Sequence, residues 1–97
     1  MDKEIQGNIA SGQLGRFLTE LTLDGCGDNI EEWLDMVEAR QMNVRAILQT
    51  VTNWREMFTS LRYVEFLNVE NNEAYRKRTT ALYVLGVIID LYLPVAT

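Results

Sequence analysis

The sequence contains no histidine, one cysteine and one proline. Without histidine, the chain has no imidazole to act as a general base, to activate a serine or cysteine nucleophile, or to ligate zinc. The single cysteine, Cys26, cannot form an internal disulfide, and no basic segment followed by an apolar run opens the sequence, so we expect a cytoplasmic protein. These absences predict a non-enzymatic protein with no cofactor and no metal.

Two glycine-containing stretches resemble known ligand loops but lack their essential residues. The loop 24–29 alternates acids with glycine, yet a calcium loop needs an oxygen ligand at its third position and glycine at its sixth, where this chain has Cys26 and Asn29. The glycines before residue 16 do not form a phosphate-binding loop. We expect Cys26 to be an exposed and inert loop residue, because its charged sequence neighbours are acidic.

Helix breakers are rare in most of the chain, since only Gly86 and Pro94 follow residue 28. Apolar residues recur at helical spacing, and 97 residues suffice for one core. The pattern therefore predicts an all-α fold: one helical domain, 1–97, with a short N-terminal helix or arm before a four-helix bundle. The predicted helices span about 12–23, 29–42, 44–67 and 73–93.

The predicted core is formed by apolar residues from all four helices. Its members are Leu14, Phe17, Leu18, Leu21, Trp33, Leu34, Val37, Ile47, Val51, Trp54, Phe58, Leu61, Leu85, Ile88 and Ile89.

The last predicted helix is apolar around most of its circumference. Thr79, Tyr83, Gly86 and Asp90, spaced i, i+4, i+7 and i+11, form its one polar strip. Glycine on this strip would permit close approach of a second helix. We therefore expect Tyr83, Gly86 and Asp90 to mediate self-association, giving a homodimer or higher homo-oligomer.

A buried carboxylate in such a bundle would need a charged or hydrogen-bonding partner. Arg55 and Arg62, one heptad apart beside an apolar stripe, are the candidates for Asp90. The alternative to self-association is therefore a buried ion pair between Asp90 and one of these arginines.

Charge is distributed unevenly along the chain. Residues 1–38 carry nine acids against two bases, whereas residues 39–97 carry five acids against seven bases. Glu31, Asp35 and Glu38 align along one edge of the second predicted helix. This acidic edge predicts a basic protein partner, and Arg55 and Arg62 are further candidates for partner contacts.

Two alternative functions remain open. Arg55 and Arg62 with the cluster Arg76-Lys77-Arg78 could bind nucleic acid, although the acidic chain lacks a general basic footprint. The run 79–96 behind that cluster could be a membrane tail anchor, although Asp90 would lie inside it. The interpretation we favour is a protein-interaction module, an adaptor, assembly factor or inhibitor, that binds its partner through helix surfaces.

Overall fold

Helices and strands alternate along the chain in the computed structural model, which describes residues 2–26, 28–50, 57–70 and 72–93. In chain order, the elements of these residues are α1 (Asp2–Ala10), β1 (Glu20–Asp24), α2 (Ile30–Thr50), β2 (Tyr63–Leu67), α3 (Glu73–Tyr83) and β3 (Ile88–Tyr92).

The three strands form one parallel sheet in the order β1-β2-β3. Parallel neighbours need a crossover connection, and each of the two connections contains a helix, α2 or α3. The register pairs Leu21 with Val64 and Val64 with Ile89, so equivalent positions of the three strands lie in rows across the sheet.

The prediction of an all-α four-helix bundle is therefore wrong. The predicted helix 12–23 ends inside β1, and the predicted helix 44–67 ends with β2. The predicted helix 73–93 is α3 followed by a turn and β3. The segment predicted at 29–42 is helical from Ile30 onward, and this helix, α2, continues without a break through the predicted boundary to Thr50.

The segment that was predicted as one helix, 73–93, is divided by a turn. Asn72 caps α3: its side-chain oxygen accepts hydrogen bonds from the amides of Ala74 (2.7 Å) and Tyr75 (3.3 Å). After Tyr83 the chain tightens into a turn that closes at Gly86, whose φ of +89° favours glycine. The following β-branched and aromatic residues then form a strand rather than a further helical turn.

The core lies between one face of the sheet and the helices. The largest buried contribution from the sheet comes from Val64 and Phe66 of β2, which pack with apolar residues of α2 and with Leu82 of α3. Leu14, Phe17 and Ile88 were predicted to be core residues but are 48%, 79% and 50% exposed. Val51 and Trp54 lie outside the described residues.

Cys26 also differs from expectation, because it is buried and belongs to the core cluster. Its burial follows from the loop after β1, which turns back toward the start of α2: the amide of Asn29 donates to the Cys26 carbonyl at 3.1 Å.

Candidate protein-binding face

The second face of the sheet faces away from the core. Successive side chains of a strand point to opposite faces, and Leu21, Val64 and Ile89 point toward the helices. The outward residues, which we call the open face, are exposed or half-buried. They are Glu20, Thr22, Asp24, Tyr63, Glu65, Leu67, Ile88, Asp90 and Tyr92.

The open face is acidic and aromatic. Four of its residues are acids, two are tyrosines, and none is Lys or Arg. Purely parallel sheets are usually covered on both faces. In the part of the chain that the structure describes, the helices contribute their buried residues to the opposite face, so a partner could reach this one.

A hydrogen-bond network joins the three strands at the centre of the open face. The Thr22 hydroxyl donates to Glu65 Oε1 at 2.8 Å, and the Tyr63 hydroxyl donates to Asp90 Oδ2 at 2.8 Å. The Tyr63 oxygen also lies 3.4 Å from that of Tyr92 and 3.3 Å from Glu65 Oε2. The hydrogen bonds with Tyr92 and Asp90 raise the pKa of Tyr63, so its phenol stays neutral beside the two carboxylates.

Asn68 connects the ends of two strands at the border of the open face. It has a φ of +59°, a conformation that asparagine adopts more readily than most residues. Its side-chain amide donates to Asp24 Oδ1 at 2.6 Å, joining the end of β1 to the residue after β2. Carboxylates and phenols held in this way can accept hydrogen bonds from ammonium or guanidinium groups.

Gln41 of α2 positions the strands from the core side. Its amide nitrogen donates to the carbonyls of Leu61 and Leu85, both at 2.9 Å, and its oxygen accepts from the Leu61 amide at 2.6 Å. One fully buried side chain therefore holds the approaches to β2 and β3 in place.

Arg40, next to Gln41, organises the chain before β1. Its side chain is fully buried and donates to carbonyls of three segments: Ile9 at 2.9 Å, Gly15 at 2.7 Å and Thr59 at 3.0 Å. Burial lowers the pKa of the guanidinium. Its carbon Cζ lies 5.2 Å from the centre of the Phe58 ring, within range of a cation–π contact.

The acidic edge predicted on α2 faces α3. Arg78 forms ion pairs with Asp35 at 2.7 Å and with Glu38 at 3.1 Å, and it donates to the carbonyl of Glu31 at 3.4 Å. Two of the three predicted contact carboxylates therefore already have an arginine partner within the chain. From the predicted basic cluster, Lys77 lies 3.9 Å from Glu73, and Arg76 follows the N-cap of α3 on an exposed position.

The residues of the predicted polar strip of the last helix do not lie on one surface. Tyr83 is 66% exposed at the end of α3, Gly86 lies in the turn, and Asp90 lies on the open face. Asp90 is therefore not buried, and among the described residues no ion pair joins it to Arg62. Arg55 lies outside the described residues.

The described ranges lack two further kinds of feature. No helix there is long and apolar enough to cross a membrane, and β3 occupies part of the run proposed as a tail anchor, 79–96. The same residues contain no cluster of three or more potential metal-ligating side chains.

The sequence contains a spacing of apolar residues that indicates a strand, although the same residues also fit the period of a helix. Leu18, Leu21, Leu23 and Cys26 follow the spacing L-x-x-L-x-L-x-x-C, which is similar to that of leucine-rich repeats. The sheet register pairs Leu21 with Val64 and Leu23 with Phe66. The same offset along the sequence relates Leu18 to Leu61 and Cys26 to Val69, which gives a second apolar set of the same spacing.

This alignment explains the burial of Cys26, because it occupies the position that buried Val69 occupies one strand later. The paired residues Tyr63 and Ile88 are 25 positions apart, within the range of about 20–29 residues of such repeats. The step from β1 to β2, which contains the long helix α2, exceeds that range.

Comparisons with protein-family models, curated proteins and solved structures found no match to this chain.

Proposed function

We propose that this protein is a non-enzymatic protein-interaction module that binds a basic segment of a partner protein through the open face of its sheet. The observation that carries the proposal is the charge of that face: four acids and two tyrosines with no base among them. The cytoplasmic compartment expected from the single cysteine belongs to the same proposal.

Electrostatics supports a basic partner for this face. Complementary charge steers association, whereas apposed like charges cost free energy. A second copy that presented the same face would oppose its own Glu20, Asp24, Glu65 and Asp90. The tyrosine rings add large, rigid contact area, and aromatic rings also attract ammonium and guanidinium groups.

The architecture supports binding at the sheet rather than at the helices. Stacked strand–helix units present a continuous strand surface, and repeat proteins use such surfaces for binding. The acidic edge of α2 is a weaker candidate than it was from sequence, because Arg78 neutralises part of it. The nucleic-acid alternative stays a prediction, and of its basic residues Arg78 and Lys77 lie beside acids of the chain.

The test uses a fluorescein-labelled peptide in which Lys and Arg alternate with Val, with binding followed by fluorescence anisotropy over a salt series. The variant Glu20→Gln/Glu65→Gln removes two charges from the open face. The matched control, Glu4→Gln/Glu32→Gln, removes two charges from exposed positions of α1 and α2 that lie neither on the open face nor on the acidic edge. We expect the open-face variant to weaken binding by about tenfold, equivalent to about 1.4 kcal/mol, and to flatten the salt dependence.

Equal effects of the two variants would show that the peptide responds only to net charge and would overturn the proposed site. Tight binding of a labelled DNA duplex or RNA hairpin, lost on Arg76→Gln/Lys77→Gln substitution, would instead favour the nucleic-acid alternative.

A further inference from the structure

Among the residues that the structure describes, no strand pairs with the outer edge of β3. The Ile88 amide donates to Arg62 at 3.0 Å, and the Tyr92 carbonyl accepts from Val69 at 3.1 Å. Residues 88, 90 and 92 therefore direct their backbone groups toward β2. In a parallel ladder the alternate residues, Ile89 and Leu91, then direct theirs away from the sheet.

The strand β3 lacks two of the residue types that usually prevent a further strand from pairing. Natural edge strands are protected by lysine, proline, bulges or covering elements. The sequence of β3, IIDLY, has no lysine and no proline, and its one charged residue lies on the open face.

An uncharged surface adjoins the same edge. A groove of about 240 Å³ runs between α3 and β3, lined by Thr79, Thr80, Tyr83, Val87, Ile88 and Ile89. Tyr83 and Ile88 are 66% and 50% exposed, and Leu93, just after the strand, is 59% exposed. We call this groove, with the free edge of β3 and Leu93, the β3 edge surface.

We propose that the β3 edge surface binds a second copy of this chain about a two-fold axis, so that the described three-stranded sheets of the two copies join into one continuous sheet. A two-fold contact places a surface against itself, and this is the commonest symmetry of homo-oligomers. The residues of the groove are uncharged, so self-contact opposes no like charges. The edge of β1 is different, because its exposed ends are Glu20 and Asp24, which an antiparallel copy would place opposite acids.

Asp90 determines which residues of the two β3 strands lie opposite each other in this dimer. If it faced Asp90 of the partner, two carboxylates would be apposed on the open face, which is destabilising. A shift that centres the two-fold axis on Leu91 instead places Asp90 opposite Tyr92 of the partner subunit. The same shift places Ile89 opposite Leu93 of the partner subunit, so exposed Leu93 gains an apolar contact.

The first measurement is light scattering of the wild-type chain over a dilution series, with amide hydrogen exchange at two concentrations. We expect a monomer–dimer equilibrium in which the Ile89 and Leu91 amides become protected as the dimer forms. Tyr83→Lys should weaken the dimer by about tenfold or more. The matched control is Met42→Lys, at a position of α2 that is 51% exposed.

Cross-linking tests the register. Opposed residues of an antiparallel pair lie about 4.5–5.5 Å apart at Cα, within the range of a disulfide. Leu91→Cys should form a disulfide-linked dimer under mild oxidation, whereas Asp90→Cys and the wild-type chain, whose Cys26 is buried, should not.

Three results would overturn the proposal: a wild-type monomer at every concentration, equal weakening by Tyr83→Lys and Met42→Lys, or cross-linking through Asp90→Cys in place of Leu91→Cys. The proposed function is tested separately, because Glu20→Gln/Glu65→Gln changes neither the groove nor the outward backbone groups of β3.

Discussion

Replacement of Arg40 by methionine tests the internal organisation of this fold. Methionine keeps an unbranched apolar stem but removes every donor. The carbonyls of Ile9, Gly15 and Thr59, now bonded at 2.7–3.0 Å, would lose their partner. Leu14 and Leu18, bonded at 3.4 Å, contribute less.

The magnitude follows from the three short bonds. A buried polar group left without a partner costs about 1–3 kcal/mol. We use the lower end, because methionine also avoids desolvation of the guanidinium and because two of the three bonds are only part-buried. The expected loss is about 3 kcal/mol, a large share of the roughly 5–15 kcal/mol by which domains are stable.

Urea unfolding followed by tryptophan fluorescence measures this loss at constant protein concentration. Arg45→Met is the control, because Arg45 is exposed on the same helix and makes one long hydrogen bond, 3.4 Å, to the Val84 carbonyl. We expect the control to cost no more than about 0.5 kcal/mol. A loss below about 1 kcal/mol for Arg40→Met, or one equal to the control, would refute the role we give Arg40.

Two further predictions concern local features. Gly12→Ala should destabilise the fold by at least about 1 kcal/mol in urea unfolding, because Gly12 has a φ of +80° and an added Cβ would overlap the Phe58 ring. The control is Gly7→Ala, whose added Cβ meets no atom within 4 Å, so this change should be neutral or stabilising. The pKa of Tyr63 is raised in the folded protein. Its contribution to the free energy of unfolding is therefore complete below the unfolded pKa of about 10 and is lost as the pH rises further. Tyr63→Phe should therefore flatten the decline of stability at alkaline pH. An unchanged decline would contradict the second prediction.

The first part of α2, residues 30–42, could be predicted because apolar residues recur there regularly at helical spacing. Ile30, Trp33, Leu34 and Val37 form the buried stripe expected of an amphipathic helix, and all four are core residues. Helical spacing of apolar residues gave a wrong prediction at β1. Leu14, Leu18 and Leu21 fit helical spacing, but Leu21 and Leu23 alternate with polar residues over a span too short to decide between the two periods.

The strand β3 was misread for a different reason. A buried or half-buried strand and a buried helix both appear as continuous apolar runs, and Gly86 was interpreted as a contact residue rather than as a turn. Open-face residues such as Asp90 then seemed to lie inside a helical bundle, where a carboxylate would need a buried partner.

Composition and local pattern determined the absence of histidine chemistry and the acidic character of the N-terminal half, because each depends on simple counts of residues. Tertiary structure alone decided the open face, the pairing of Arg78 with Asp35 and Glu38, and the burial of Arg40 and Gln41. These features join positions far apart in the chain. Only the parallel register of the strands and the packing of α2 against them bring such positions together.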